Sequence, residues 1–115
     1  MRKVIGIGET ILDIIFRNGQ PTAAVPGGSV FNGIVSLARA GVPVSFISET
    51  GNDRVGNTIL QSMRDSGMST DYVNVFPDGK SPVSLAYLNE RGDAEYIFYK
   101  DYPKRRLDVV FPKLE

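Results

Sequence analysis

The spacing of hydrophobic and polar positions changes several times along the chain, and each change marks an element. Residues 3–8 form a short apolar run ending at glycine, the pattern of a buried parallel strand. Leu12, Ile14, Ile15 and Phe16 make a second, branched and aromatic run, and Asn18-Gly19 after it is a strong hairpin signal, so residues 20–25 read as the returning strand. A helix follows over residues 29–40. Its apolar positions 30, 31, 34, 35, 37, 38 and 40 give a broad face for packing on a sheet, with Ser29 as N-cap and Gly41 as the residue that stops it. Residues 42–47 read as the next strand, with Pro43 at its start, where a missing N–H is tolerated. Asp53 caps a second helix over residues 54–66, striped by Ile59, Leu60 and Met63 and ended by Gly67. Residues 72–75 are a third short core strand. A second hairpin, rich in aromatics, then joins strands at 83–89 and 94–99, with turns at 77–80 and 90–93. Residues 100–106 are polar and irregular, and residues 107–115 show no clear period.

This order predicts an α/β fold in which three strands alternate with two helices and two hairpins interrupt them. The four hairpin strands have little of their own to pack on, so they are expected to pair into one small sheet. Beside a glycine turn such a sheet has the form of a lid. Core segments are then 1–10, 27–76 and 100–115, and lid segments are 11–26 and 77–99. The 115 residues suffice for one small domain, and 42% hydrophobic content predicts a packed core. Thirteen basic and thirteen acidic residues cancel, which removes the electrostatic case for nucleic acid or an anionic membrane as partner. There is no cysteine and no histidine, so disulfides, thiolate or histidine metal sites and histidine-based triads are excluded. The apolar run at the N-terminus is too short for a signal peptide, and no stretch approaches a membrane span. A soluble, cytoplasmic protein is expected.

Several stretches carry candidate chemistry. Gly27-Gly28 runs into the first helix, and a glycine turn at a helix N-terminus presents unpaired N–H groups to a ligand; Asn32, one turn in, offers a donor and an acceptor. The same residues also fit an ordinary loop-to-helix junction. Asp13 interrupts an apolar run, and an ionised carboxylate there needs a partner such as a polyol hydroxyl, unless strand alternation turns it outward. Gly6-Ile7-Gly8-Glu9-Thr10-Ile11 begins like a dinucleotide fingerprint, but Ile11 holds the third glycine position and a hairpin follows in place of a helix; no P-loop motif is present. Lys104-Arg105-Arg106 is either a phosphate contact or solvated surface. The aromatics at 87, 96, 98 and 99 either stack on a sugar face or fill the underside of the hairpin sheet.

Taken together, Gly8-Glu9-Thr10-Ile11-Leu12-Asp13, then Gly27-Gly28-Ser29-Val30-Phe31-Asn32, Gly41, Gly51-Asn52-Asp53 and Gly56 resemble, in this order, the ribokinase-like carbohydrate kinases of the phosphofructokinase B type, fructokinases most closely. The resemblance covers the whole chain. It implies an enzyme that moves the γ-phosphoryl group of ATP to a sugar hydroxyl in the presence of Mg²⁺. Asp13, Gly27, Gly28 and Asn32 match positions that hold sugar hydroxyls; Ser84 on a lid strand, and Phe98 on its partner strand, match positions facing the sugar. Family members are more than twice as long, and their second signature, a Gly-Ala-Gly-Asp type turn with the base aspartate and anion-hole amides, has no match here. The resemblance therefore implies the N-terminal part of a three-layer α/β/α kinase fold. It carries the sugar-binding half and the lid, with no catalytic, nucleotide or metal residue of its own. Such a chain is expected to be inactive alone, to bind neither ATP nor Mg²⁺ alone, and to need the C-terminal half as a partner. Some relatives dimerise through the lid, so a homodimer is a further expectation. The alternative is a non-catalytic sugar-binding or interaction module.

Overall fold

The computed structural model describes residues 3–101. Strands β1 (Val4–Ile7), β4 (Val44–Gly51) and β5 (Val73–Phe76) form a parallel sheet in the order β1-β4-β5. Between them run the crossover helices α1 (Ser29–Arg39) and α2 (Arg54–Asp65). A second, four-stranded sheet contains β2 (Ile11–Arg17), β3 (Gln20–Gly27), β6 (Lys80–Leu88) and β7 (Ala94–Asp101) in the order β3-β2-β6-β7. The two hairpins are thus joined through a parallel pairing of β2 with β6. This is the expected α/β arrangement with one small sheet built from both hairpins.

The core forms where the apolar faces of the two helices meet the parallel sheet. Phe31 and Ile34 of α1, Leu60 and Met63 of α2, and Phe46 and Val73 of the sheet are all buried in one cluster with Met68. Each such side chain contributes about 1.5–3 kcal/mol on burial. Phe31 meets Phe46 edge-on, with ring centroids 5.9 Å apart. Helix α1 lies so close to β1 that a Cβ at Gly6 would sit 2.5 Å from Ile34 Cγ1, so glycine there permits the packing. Ile7, the next residue, alternates away from the helix and stands 65% exposed.

The first hairpin turns at Asn18-Gly19, where both residues have positive φ (51° and 73°), as a type I′ turn requires. Asp53 caps α2 as expected, its side chain accepting the Gly56 N–H.

Other expectations need correction. Ser29 is not the cap of α1. Gly28 is the N-cap at φ 117°, no side chain caps the helix, and Ser29 is already helical; the Asn32 N–H bonds to Gly28 O at 2.9 Å. The helix starts one residue early, at Ser29, and the turn narrows to Gly28 because β3 continues through Gly27, which is strand and not turn. Strand β4 starts at Val44 and runs past its expected end at Ile47 as far as Gly51, because Ser48, Glu49, Thr50 and Gly51 pair with β5. Strand β6 begins at Lys80, inside the expected turn, and Lys100 and Asp101 extend β7 where irregular chain was expected, since Asp101 pairs with Lys80. Lys104-Arg105-Arg106 and the stretch 107–115 lie outside the described residues.

Candidate functional site

The parallel register of β2 on β6 sets Asp13 beside Ser84, and the antiparallel register of β6 on β7 sets Ser84 beside Phe98. Paired residues on neighbouring strands share a face, so these three side chains form a row across one face of the four-stranded sheet. Ser84 is fully buried, and its hydroxyl donates to Asp13 Oδ1 at 2.5 Å. Asp13 itself is half-buried. It is therefore not a simple outward-facing strand residue; the hydroxyl partner satisfies part of a carboxylate that can accept about four hydrogen bonds. Gly27, on the far side of β2, lies under this carboxylate. A Cβ at Gly27 would collide with Asp13 Oδ2. Asp13 thus lies against two other residues singled out in the sequence, Gly27 and Ser84, although 71 positions separate it from Ser84.

A cleft of about 330 Å³ opens next to this row. Gly28 and Phe98 line it, together with Glu9, Ile11, Pro82 and Lys100 among others. Phe98 is 58% exposed and stacks on Tyr96 with centroids 5.9 Å apart. Asp13, Gly27 and Ser84 do not line the cleft itself; Ile11, two residues before Asp13 on the same face, connects row and cleft. Asn32 is exposed in the first turn of α1 and is not among the residues that line the cleft. The arrangement sets a half-buried carboxylate, held by a buried hydroxyl, beside a small cleft that Gly28 and the Phe98 ring line. Those groups suit a ligand with several hydroxyls and an apolar ring face.

Two charged residues of the cleft were not singled out in the sequence. Lys100 Nζ lies 3.3 Å from Glu9 Oε2 and 5.8 Å from the Phe98 ring centroid. The pair spans 91 positions, so no local pattern reveals it. Lys100 alone was reachable by alternation, two residues beyond Phe98 on the same strand face.

The model of the pfkB family carbohydrate kinases matches residues 1–108. The chain belongs to this family. A fructokinase of Rhizobium leguminosarum bv. trifolii is 25% identical over 103 residues, covering 85% of this chain and 31% of that protein. A ribokinase of Bacillus subtilis is 32% identical over 93 residues, covering 81% of this chain and 29% of that protein. In structure, a fructokinase from Vibrio cholerae O395 superimposes with a TM-score of 0.76 at 25% identity, over 86% of this chain and 34% of that one. This pfkB-family chain therefore spans roughly a third of the length of the relatives it matches, and its fold is the N-terminal part of theirs. Among the described residues no helix is long and apolar enough to cross a membrane.

Proposed function

We propose that this chain is the sugar-binding part of an ATP-dependent carbohydrate kinase of fructokinase-like specificity, and that the four-stranded sheet is its lid. The observation that carries the reading is the contact of Ser84, Asp13 and Gly27 on one sheet face beside the cleft. In this reading the Asp13 carboxylate accepts hydrogen bonds from two sugar hydroxyls. Ser84 orients that carboxylate, Gly27 leaves room for it beside β2, and the backbone at Gly28 faces the sugar in the cleft. Asn32 adds a donor and an acceptor from α1, and Phe98 covers the apolar ring face. Closure of the sheet over the cleft excludes water and strengthens these bonds.

Among the described residues no three His, Cys, Asp or Glu side chains gather to hold a metal ion. The lysine of the cleft is ion-paired to Glu9. In this reading nucleotide, metal and catalytic base belong to a C-terminal half of the kinase, and this chain is inactive alone. A second copy is the further proposed partner. The lid face opposite Asp13 carries Phe16 stacked on Tyr87 at 4.6 Å, with Ile97 and Tyr99 40% and 55% exposed, an apolar surface suited to self-association.

The test is calorimetric titration of the chain with D-fructose, D-ribose and D-glucose. Binding of one of them, lost in Asp13→Ala and weakened in Phe98→Ala, supports the reading. Binding that Asp13→Ala leaves unchanged removes the proposed site.

A further inference from the structure

Where β4 ends and α2 begins, one carboxylate collects three hydrogen bonds from two elements, α2 and β6. The Ser81 hydroxyl donates to Asp53 Oδ1 at 2.7 Å, and the Ser81 N–H donates to Asp53 Oδ2 at 2.8 Å. Oδ1 also accepts the Gly56 N–H at 2.7 Å, which caps α2. The same Ser81 oxygen accepts the Gly51 N–H at 2.8 Å and lies 3.0 Å from Thr50 Oγ1. Ser81 is 4% exposed and Thr50 is fully buried, so this polar knot sits in the interior. Burial alone acts to raise the pKa of Asp53. The bonds from Ser81 and Gly56, with Lys80 nearby, outweigh it and hold the carboxyl below its ordinary 3.8. A helix cap needs only one of these bonds. The two from Ser81 do something else.

Ser81 stands at the foot of β6, where the ladders give little control of register. Pairing with β2 begins only at Val83, and the register on β7 shifts between Lys80 and Val83, with three steps on β6 against two on β7. Pro82, inside this irregularity, has no N–H for a ladder bond. Ser84 is three residues on, about 10 Å at strand rise. A slip of one residue would turn it off the Asp13 face.

We propose that Asp53 is a positioning residue for the sugar site: by holding both the start of α2 and the foot of β6, it fixes the register that brings Ser84 to Asp13. This rests on the sugar-binding reading and extends it to a residue that touches no sugar.

The test uses Asp53→Asn, which keeps one oxygen to cap α2 but sets an amide N–H₂ against a donor of Ser81, and Ser81→Ala, which removes the hydroxyl alone. Titrated with D-fructose and D-ribose, both variants are expected to bind about tenfold more weakly than the wild type, the effect of one hydrogen bond to a charged group. Unchanged sugar affinity with a lowered melting temperature would make Asp53 a helix cap only. Amide hydrogen exchange supplies a readout that needs no ligand. Residues 83–86 of β6 are expected to exchange about tenfold faster in both variants, on the same free-energy scale, while residues 59–63 of α2 keep their protection. Unchanged exchange in β6, or equal acceleration in α2, overturns the proposal. If the wild type binds no sugar, the functional reading fails by itself, and the exchange data still decide whether Asp53 holds β6.

Discussion

Gly27→Ala isolates the contact on which the proposed site depends. No positive φ is recorded at Gly27, so alanine meets no backbone strain there, and its Cβ would be 3.9 Å from Ile11 Cγ2, an ordinary contact. The collision is with Asp13 Oδ2 alone. A carboxylate at the end of a short side chain can rotate away, but only by giving up the Ser84 hydroxyl, which is fully buried. A hydrogen bond to a charged group is worth about 1.5–3 kcal/mol, and the lower end applies because water can reach half-buried Asp13. Against this, alanine in place of glycine in a strand gains about 0.5–1 kcal/mol of chain entropy. The lost bond wins, for a net loss of about 0.5–1 kcal/mol. In urea this is a midpoint shift of a few tenths molar for m near 1–3 kcal/mol/M. In an Asp13→Ala background the colliding oxygen is gone, so Gly27→Ala becomes neutral or stabilising. The double-mutant cycle then gives a coupling of about 1.5 kcal/mol. A Gly27→Ala effect of the same sign and size in both backgrounds would refute the contact.

Three further outcomes are expected. Gly28→Ala costs more than Gly27→Ala, about 1–3 kcal/mol in the same urea assay, because Gly28 has φ 117° and its Cβ would sit 2.5 Å from the Glu9 carbonyl oxygen, which is backbone and cannot rotate away. Asp53, held below its ordinary 3.8, contributes stability that is whole above that value and is lost as pH falls through its folded pKa. The stability gap between wild type and Asp53→Asn, measured by urea unfolding across acid pH, is therefore constant near neutrality and narrows below 3.8. Lys100→Met changes stability by less than about 1 kcal/mol, and less still in high salt, because its ion pair with Glu9 is exposed on both sides.

Local chemistry made much of this fold legible in the sequence. Asn18-Gly19 demands a type I′ turn, Asp53 followed three residues later by Gly56 makes a capping bond, and the apolar spacing of α1 and α2 names the core. Of the proposed site, Asp13, Gly27, Gly28, Asn32 and Phe98 stood out as residues, but Ser84 came only through the resemblance, because Asp13, Gly27 and Ser84 meet through strand register and not through spacing. Where sequence reasoning missed, tertiary pairing overrode a local signal. Ser29 looks like a cap, but the turn at Gly28 completes one residue earlier. Lys100 opens a polar stretch, yet β7 continues through it because Lys80 and Asp101 pair. The second role of Asp53 had no sequence signal at all, since its partner Ser81 is 28 positions away and set by the irregular foot of β6.

Sugar-dependent ADP release from the full-length protein with ATP and Mg²⁺, compared with its Asp13→Ala variant, is the most direct test of the proposed kinase function. One sugar of a ketose and aldose panel is predicted to release ADP. Asp13→Ala is predicted to lower kcat/KM for it by about 10²–10⁴, the loss of two hydrogen bonds to a carboxylate. ADP release that no sugar stimulates, or that Asp13→Ala leaves intact, would contradict it.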